Sequence, residues 1–274
     1  MFRAYRDKGI TAALLSLILL FSLSGNVLAQ TKPKRTSYDG EPPKSILWVG
    51  NSFFYYNNSM HNYLGRLVRS ADPKMPHRST SVTISGSGFD WHDMESYFRP
   101  NGIGKYSFVG DNEVKFNKLD KLFDAVIMSD CSQCPVHPQL KSVFHEYAKK
   151  QSDIVRKHGA VPMFMMTWAY KDKPEMTAQL AEAYTVAGND NDALVIPAGL
   201  AFAKAIGKKP ELEFYQPDKR HPTPIGTYLA AATAYAAIYG KSPVGISYHA
   251  DIDAQTAGFL QTVAWETVKE YYGK

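Results

Sequence analysis

Cysteine is scarce in this sequence. There are two among 274 residues, Cys131 and Cys134. Two cysteines exclude a disulfide-dense scaffold. With His137 as the one histidine close by in sequence, they also fall short of a tetrahedral zinc set. The Cys-Ser-Gln-Cys stretch reads as a structural disulfide or a pair of free thiols. The alternative, a thioredoxin-like redox centre, normally opens a helix after the first strand of its fold, whereas this pair follows a mid-chain strand. Charge of one sign is equally scarce. Lys and Arg total 31 against 26 Asp and Glu, a formal net charge of +5. With no arginine-rich strip or basic helix, nothing points to a nucleic-acid partner.

Long apolar runs are missing as well, apart from one near the start. Ala12 to Leu23 follows Arg3, Arg6 and Lys8 and precedes Val27-Leu28-Ala29. A basic opening, a short apolar core and small residues before a cut make a secretory signal peptide over residues 1–29, cleaved after Ala29. The run is shorter than the roughly 20 residues a membrane helix needs. The expectation is therefore a secreted or periplasmic protein with no stable membrane insertion after cleavage. Residues 30–43 are polar, basic and proline-bearing, and read as a flexible lead-in. The remainder, 44–274, is long enough for one α/β domain with a full core. The sequence has no internal repeat.

What the sequence does contain is a rhythm. Strand-length apolar runs at Ser45–Val49, Ser81–Ser85, Asp124–Met128, Ala160–Thr167 and Ala193–Ile196 alternate with helix-length amphipathic segments. Helical spacing appears at Met60, Leu64, Leu67 and Val68. It recurs over Leu140–His158, with apolar positions Val143, Tyr147, Ile154 and Val155, and over Pro174–Ala187, with Met176, Leu180, Ala183 and Tyr184. Gly226–Tyr239 is alanine-rich and helical, and Ala254–Tyr272 closes the chain as a helix. Strand and helix in alternation predict a parallel, doubly wound sheet of about five strands covered on both faces. Residues 99–120, rich in Gly, Asn, Lys and Asp, break the rhythm and read as a surface insertion with a small hairpin.

In such a sheet, ligands bind beyond the carboxyl ends of the strands. Gly50-Asn51-Ser52-Phe53 follows the first strand. A serine there sits where free helix N–H groups can stabilise developing negative charge, or it is an ordinary N-cap. Late in the chain stands Asp218-Lys219-Arg220-His221-Pro222-Thr223, ahead of the alanine-rich helix. A nucleophilic serine needs a base, and the base needs an acid to fix its tautomer. An Asp three residues before a His can supply both from one loop, which Pro222 and Pro224 stiffen.

Together the two motifs, in this order and at this separation, resemble the SGNH or GDSL-type hydrolases. The resemblance runs from residue 45 to about 240. Asn51 stands where the family usually has Asp. The family implies a three-layer α/β/α, flavodoxin-like domain and an ester-hydrolysing triad: Ser52 as nucleophile, His221 as general base, Asp218 as its partner. It also implies three oxyanion donors. These are the Ser52 N–H, a glycine N–H after the second strand (Gly86, with Gly88 as the alternative) and an asparagine side chain after the third. Ser129-Asp130-Cys131-Ser132-Gln133-Cys134 holds no asparagine. Ser132 or Gln133 would have to substitute, and losing one such donor costs on the order of 100- to 1000-fold in rate.

The expected function is hydrolysis of a small-molecule or polysaccharide ester through an acyl-enzyme, with no metal or organic cofactor. Exported relatives often remove acetyl groups from polysaccharides. Aromatics after the strand ends (Phe53, Phe54, Tyr55, Tyr56, Trp91, Trp168 and Tyr170) suit sugar rings or an acyl chain, or simply pack the core and rim. His92 and His137 are expected to be satisfied surface histidines. The alternatives are a glycan-binding protein that keeps the triad without turnover, and a thiol–disulfide protein acting through Cys131 and Cys134.

Overall fold

The computed structural model describes residues 31–103, 106–119 and 121–274. The expected signal peptide lies outside the described residues. Strands β1 (Ser45–Gly50), β2 (Arg78–Thr83), β5 (Ala125–Met128), β6 (Val161–Met165) and β7 (Leu194–Ile196) form one sheet in the order β2-β1-β5-β6-β7. All four pairings are parallel. Strands β3 (Tyr106–Gly110) and β4 (Glu113–Phe116) form the small antiparallel hairpin expected of the insertion. Counting main-sheet strands alone, the order is 2-1-3-4-5, the flavodoxin-like arrangement, whose ligand crevice opens between the first and third strands.

The central strands are buried on both faces because successive side chains point to opposite sides. Ile46, Trp48, Ala125, Ile127, Met163, Met165, Leu194 and Ile196 join one core layer; Leu47, Val49, Val126, Met128, Phe164 and Val195 join the other. The first layer is covered by α2 (Met60–Ala71), α6 (Ala198–Lys208), α7 (Pro224–Tyr239) and α8 (Ala254–Tyr272). The second is covered by α4 (Lys141–Lys157) and α5 (Met176–Asp190). Every residue of α7 from Gly226 to Ile238 is buried, so this helix lies inside the molecule, and its many alanines allow close approach to α2, α6 and α8.

The structure departs from the sequence reading in four places. The second strand starts three residues earlier than its apolar run, at Arg78, because the register of β1 fixes it: Ser45 lies opposite Arg78 and Gly50 opposite Thr83. As an edge strand it is partly exposed throughout, so polar residues are tolerated there. The buried face of α4 is Phe144, Ala148, Gln151, Ser152 and Val155; Val143, Tyr147 and Ile154 flank it. The alternation read from apolar runs places no helix between the fifth strand and Gly226, yet α6 forms there.

The fourth departure is the lead-in, which is tied down. Lys34 N–H donates to Asn189 Oδ1 at 2.7 Å, the Arg35 guanidinium to the Asp192 carbonyl at 2.9 Å, and Lys274 Nζ to the Thr36 carbonyl at 2.7 Å. Among the described residues, no helix is long and apolar enough to cross a membrane.

Candidate active site

The site grows from the end of β1. A Cβ on Gly50 would lie 2.9 Å from the Phe54 ring and 3.3 Å from the Ser129 carbonyl, so the turn closes tightly only on glycine. Asn51 follows as the N-cap of α1 (Ser52–Tyr55). Its buried side chain accepts from Phe53 N–H at 3.1 Å and donates to the carbonyls of Ser87 at 2.8 Å and Asp130 at 3.0 Å. One amide thereby fastens the ends of the first, second and third main-sheet strands. The family's usual Asp, when ionised, only accepts. Asn51 instead donates twice, and that is its contribution here.

Ser52 is 9 % exposed. Its Oγ lies 2.8 Å from His221 Nε2, and His221 Nδ1 is hydrogen-bonded to Asp218 Oδ2. Since an ionised carboxylate only accepts, Nδ1 carries the ring proton and Nε2 is left to accept from the serine hydroxyl. Desolvation acts against ionisation of Asp218, but the His221 ring and the N–H groups of Arg220 and His221 outweigh it and bring its carboxyl down to about 2. Both N–H groups donate to Asp218 Oδ1 at 2.9 Å.

The loop carrying Asp218 and His221 is held from several sides. Gln216 N–H donates to the His221 carbonyl at 2.8 Å, and Tyr215 pairs with Pro222. Trp168 Nε1 donates to the Arg220 carbonyl at 3.0 Å, and the Arg220 guanidinium sits 4.7 Å from the centre of the Tyr170 ring. Asn57 Nδ2 donates to the Pro222 carbonyl and to Thr227 Oγ1, both at 2.8 Å. Tyr56 stacks on the imidazole with ring centres 4.1 Å apart, and Phe53 meets it edge-on at 5.7 Å. Phe53 in turn stacks on Trp168 at 4.6 Å, and Trp168 on Phe202 at 4.3 Å. Several of the rim aromatics are therefore packing elements that fix the histidine plane. Trp91, by contrast, is 59 % exposed.

The expected oxyanion donors fall into two groups. The N–H groups of Ser52, Gly86 and Gly88 have no acceptor among the described residues. Gly86 is exposed, has φ +73° and would leave room for a side chain; its need for glycine is conformational. Gly88 is buried, and a Cβ there would lie 2.8 Å from Asp130 Oδ1; its need for glycine is steric. In the third block, the Ser132 hydroxyl is hydrogen-bonded to Tyr170 OH at 2.6 Å. The Gln133 side chain is exposed, with no hydrogen bond among the described residues. Cys131 and Cys134 form a disulfide that closes this loop. Asp130, Cys131 and Cys134 come within metal-ligand reach of one another, but the two sulfurs are bonded together and offer no thiolate.

Sequence reasoning assigned no role to Asn51 or Asp130, the two buried polar groups that tie the strand ends together. Asp130 is 2 % exposed and accepts N–H bonds from Phe89 at 3.1 Å and Cys131 at 2.6 Å. Burial nevertheless pushes its carboxyl up to about 7. His92 corrects an expectation. It is satisfied but buried, bridging Ser87 Oγ and Tyr97 OH at 3.0 Å each. His137 caps the disulfide loop, accepting from Gln139 N–H at 3.2 Å. An apolar cavity of about 390 Å³, walled by Phe202, Ile206, Leu212 and Phe214, shares Tyr170 and Tyr215 with the surroundings of the His221 loop.

At the level of sequence, no family model matches the chain and no curated protein matches it significantly. Solved structures do. A DUF4886 family protein from Bacteroides uniformis is 18 % identical, with a TM-score of 0.54 over 81 % of this chain and 93 % of that one. A protein from Slackia heliotrinireducens classed with the SGNH hydrolases is 21 % identical, with a TM-score of 0.52 over 70 % and 97 %. An acetylxylan esterase from Geobacillus stearothermophilus is 12 % identical, with a TM-score of 0.50 over 73 % and 96 %. At these identities the likeness is one of architecture, and with the sheet order and the crevice above it the chain has the SGNH/GDSL-type fold.

Proposed function

We propose that this chain is a serine ester hydrolase, exported by the signal peptide expected over residues 1–29, acting on acetyl or other short acyl esters of a carbohydrate. The observation that carries the reading is the continuous hydrogen-bonded line from Ser52 Oγ through the His221 ring to Asp218. In the proposed cycle Ser52 Oγ attacks the ester carbonyl while His221 Nε2 takes its proton, and Asp218 stabilises the resulting imidazolium. The N–H groups of Ser52 and Gly86 hold the oxyanion. The third donor is a group of the Ser132–Gln133 segment, with Gly88 N–H as the alternative second donor. His221 then gives the proton to the leaving alcohol, and water, deprotonated by the same ring, releases the acid. The esterase named among the structural neighbours supports the reaction class, and its acetylxylan substrate motivates the carbohydrate.

The test is steady-state hydrolysis of a panel of short-chain nitrophenyl esters by wild type and Ser52→Ala. The expected outcome is a fall in kcat of roughly 10⁴- to 10⁶-fold; equal rates would sink the proposal. A binding-only reading draws on the Ser132 hydroxyl being taken up by Tyr170, which leaves the third donor in doubt. It predicts no labelling of Ser52 by a fluorophosphonate probe, and rapid labelling ends it.

A further inference from the structure

A second concavity, open and polar, of about 500 Å³ begins at Asn58, two residues past Tyr56. Its volume is within the roughly 300–1,000 Å³ of small-molecule sites. One wall comes from the chain just past Tyr56, whose ring stacks on His221. Asn57, Asn58 and Ser59 all have left-handed backbone, with φ of +53°, +64° and +71°. Left-handed conformations are disfavoured for non-glycine residues, least so for asparagine. This turn carries the chain from the catalytic rim into α2, with Asn57 fastened to the His221 loop and Asn58 facing the cleft. The opposite wall is the 247–252 loop, where Ala250 and Asp251 are also left-handed, at +52° and +61°. Strained backbone in two facing walls persists only where the surroundings impose it, and such strain clusters at ligand sites.

The imposing groups are buried. Gln261, 1 % exposed, donates to the Ile246 carbonyl and to Tyr228 OH, both at 2.8 Å, and accepts from Gly245 N–H at 3.0 Å. Tyr228 OH donates to the Tyr248 carbonyl at 2.7 Å. Tyr248 is thus a ring on a fixed backbone. The Arg66 guanidinium lies 5.8 Å from its centre, and Tyr63 meets it edge-on at 6.3 Å.

The lining has a definite chemistry. Asn58, Asn62 and Arg66 recur every four residues, so they line one side of α2 and its entry turn. Asn62 Nδ2 donates to the Asn58 carbonyl at 2.7 Å. The Asn58 amide, the Arg66 guanidinium, the His249 ring and the Asp251 carboxylate have no hydrogen-bond partner among the described residues. Closely spaced planar donors and acceptors beside a fixed aromatic ring suit a ligand dense in hydroxyls with one apolar C–H face. An acyl chain would instead suit the apolar cavity walled by Phe202 and Phe214.

We infer that this cleft is a saccharide subsite, which holds the sugar chain of the ester's alcohol part while the acyl group lies at Ser52. The inference rests on the ester-hydrolase reading for the ester but not for the sugar. The test compares kcat/KM on an acetylated xylo-oligosaccharide with kcat/KM on 4-nitrophenyl acetate, for wild type, Arg66→Ala and Tyr248→Ala. The ratio is expected to fall about tenfold in each variant. A ratio within twofold of wild type in both overturns the subsite. Arg66 is exposed, so its variant reports even if Tyr248→Ala fails to fold.

A second arm needs no turnover. Ser52→Ala protein is titrated with the deacetylated xylo-oligosaccharide by isothermal calorimetry, with and without Arg66→Ala. Millimolar or tighter binding, weakened several-fold by Arg66→Ala, supports the subsite even if no ester is hydrolysed, an outcome that removes the hydrolase reading alone. Hydrolysis of 4-nitrophenyl acetate together with no oligosaccharide binding removes the subsite alone.

Discussion

Asp130 sits at the tip of β5 with its carbonyl held by Asn51 and one carboxylate oxygen held by two backbone N–H groups. Those bonds favour the ionised form, but burial outweighs them and the folded-state value reaches about 7. An unfolded Asp titrates near 3.9. Between about pH 4 and pH 7 the folded chain therefore holds a proton that the unfolded chain has lost, so stability falls as pH rises through that window and is flat above it. Asn at this position keeps the acceptor oxygen and cannot ionise. The stability of Asp130→Asn relative to wild type should climb from pH 4 to pH 7, by up to roughly 4 kcal/mol, and then level off. Thermal melts across that range read it, and a pH-independent difference would falsify the assignment. The contrast with Ser52, Asp218 and His221 is instructive. Those three are legible in sequence because each sits in a short local motif. Asn51 and Asp130 owe their bridging roles to Ser87 and Phe89, distant in the chain, and a local motif that names Asn51 does not announce what it holds together.

At the scale of elements, the loop bearing the proposed base and acid is seated on the first turn of α7. Thr223 caps that helix, accepting from Gly226 N–H at 3.4 Å, and its hydroxyl donates to the Glu213 carbonyl at 2.6 Å. Gly226 is where the seat is tightest. A Cβ there would lie 2.7 Å from the Phe214 carbonyl, 2.9 Å from Phe202 and 3.1 Å from Pro222. These neighbours are backbone and ring atoms with little freedom, so the loop must shift. Gly226→Ala should destabilise by about 1–3 kcal/mol and lower ester hydrolysis along with it, because Pro222 adjoins His221. Gly258 in α8 is the control. A Cβ there meets nothing within 4 Å, and Gly258→Ala should be neutral or stabilising by about 0.5–1 kcal/mol. Melting temperature and kcat/KM of the two variants check the pair; equal behaviour would remove α7 as the seat of the loop. Elements with clean apolar runs, such as β1, β5 and α8, are legible in the sequence almost to the residue. The edge strand β2 and helix α6 are not. The register of the neighbouring strand decides the first, and small residues packed on an inner helix decide the second.

The whole molecule has a chemical end, where the strands finish, and a structural end, where they begin. Residues 31–43 run along the structural end. Thr31 N–H donates to Glu182 at 3.0 Å, Asn189 Nδ2 donates to the Lys32 carbonyl at 2.9 Å, and Tyr38 packs against the core layer that includes α7 and α8. Burial, aided by Asp124, pushes the Tyr38 hydroxyl up to about 12, so it stays protonated and can donate to the Asp124 carbonyl at 3.4 Å. Asp124 also receives the N–H groups of Lys44 and Ser45, at 2.9 and 3.0 Å, just where β1 begins. The polar composition that suggests a linker is thus the means of attachment, since these side chains and peptide groups find partners on α5 and at the C-terminus. Tolerance to truncation follows from such bonds and burial, and not from position in the chain. Each hydrogen bond contributes about 1 kcal/mol net, so losing these bonds and the Tyr38 packing should cost a modest amount of stability. A chain beginning at Lys44 should melt several degrees below one beginning at Thr31 while hydrolysing nitrophenyl esters at the same kcat, because the removed segment touches neither Ser52 nor the His221 loop. Equal melting temperatures would show that the segment adds no stability. A matched loss of kcat would show instead that the two ends of the sheet are coupled.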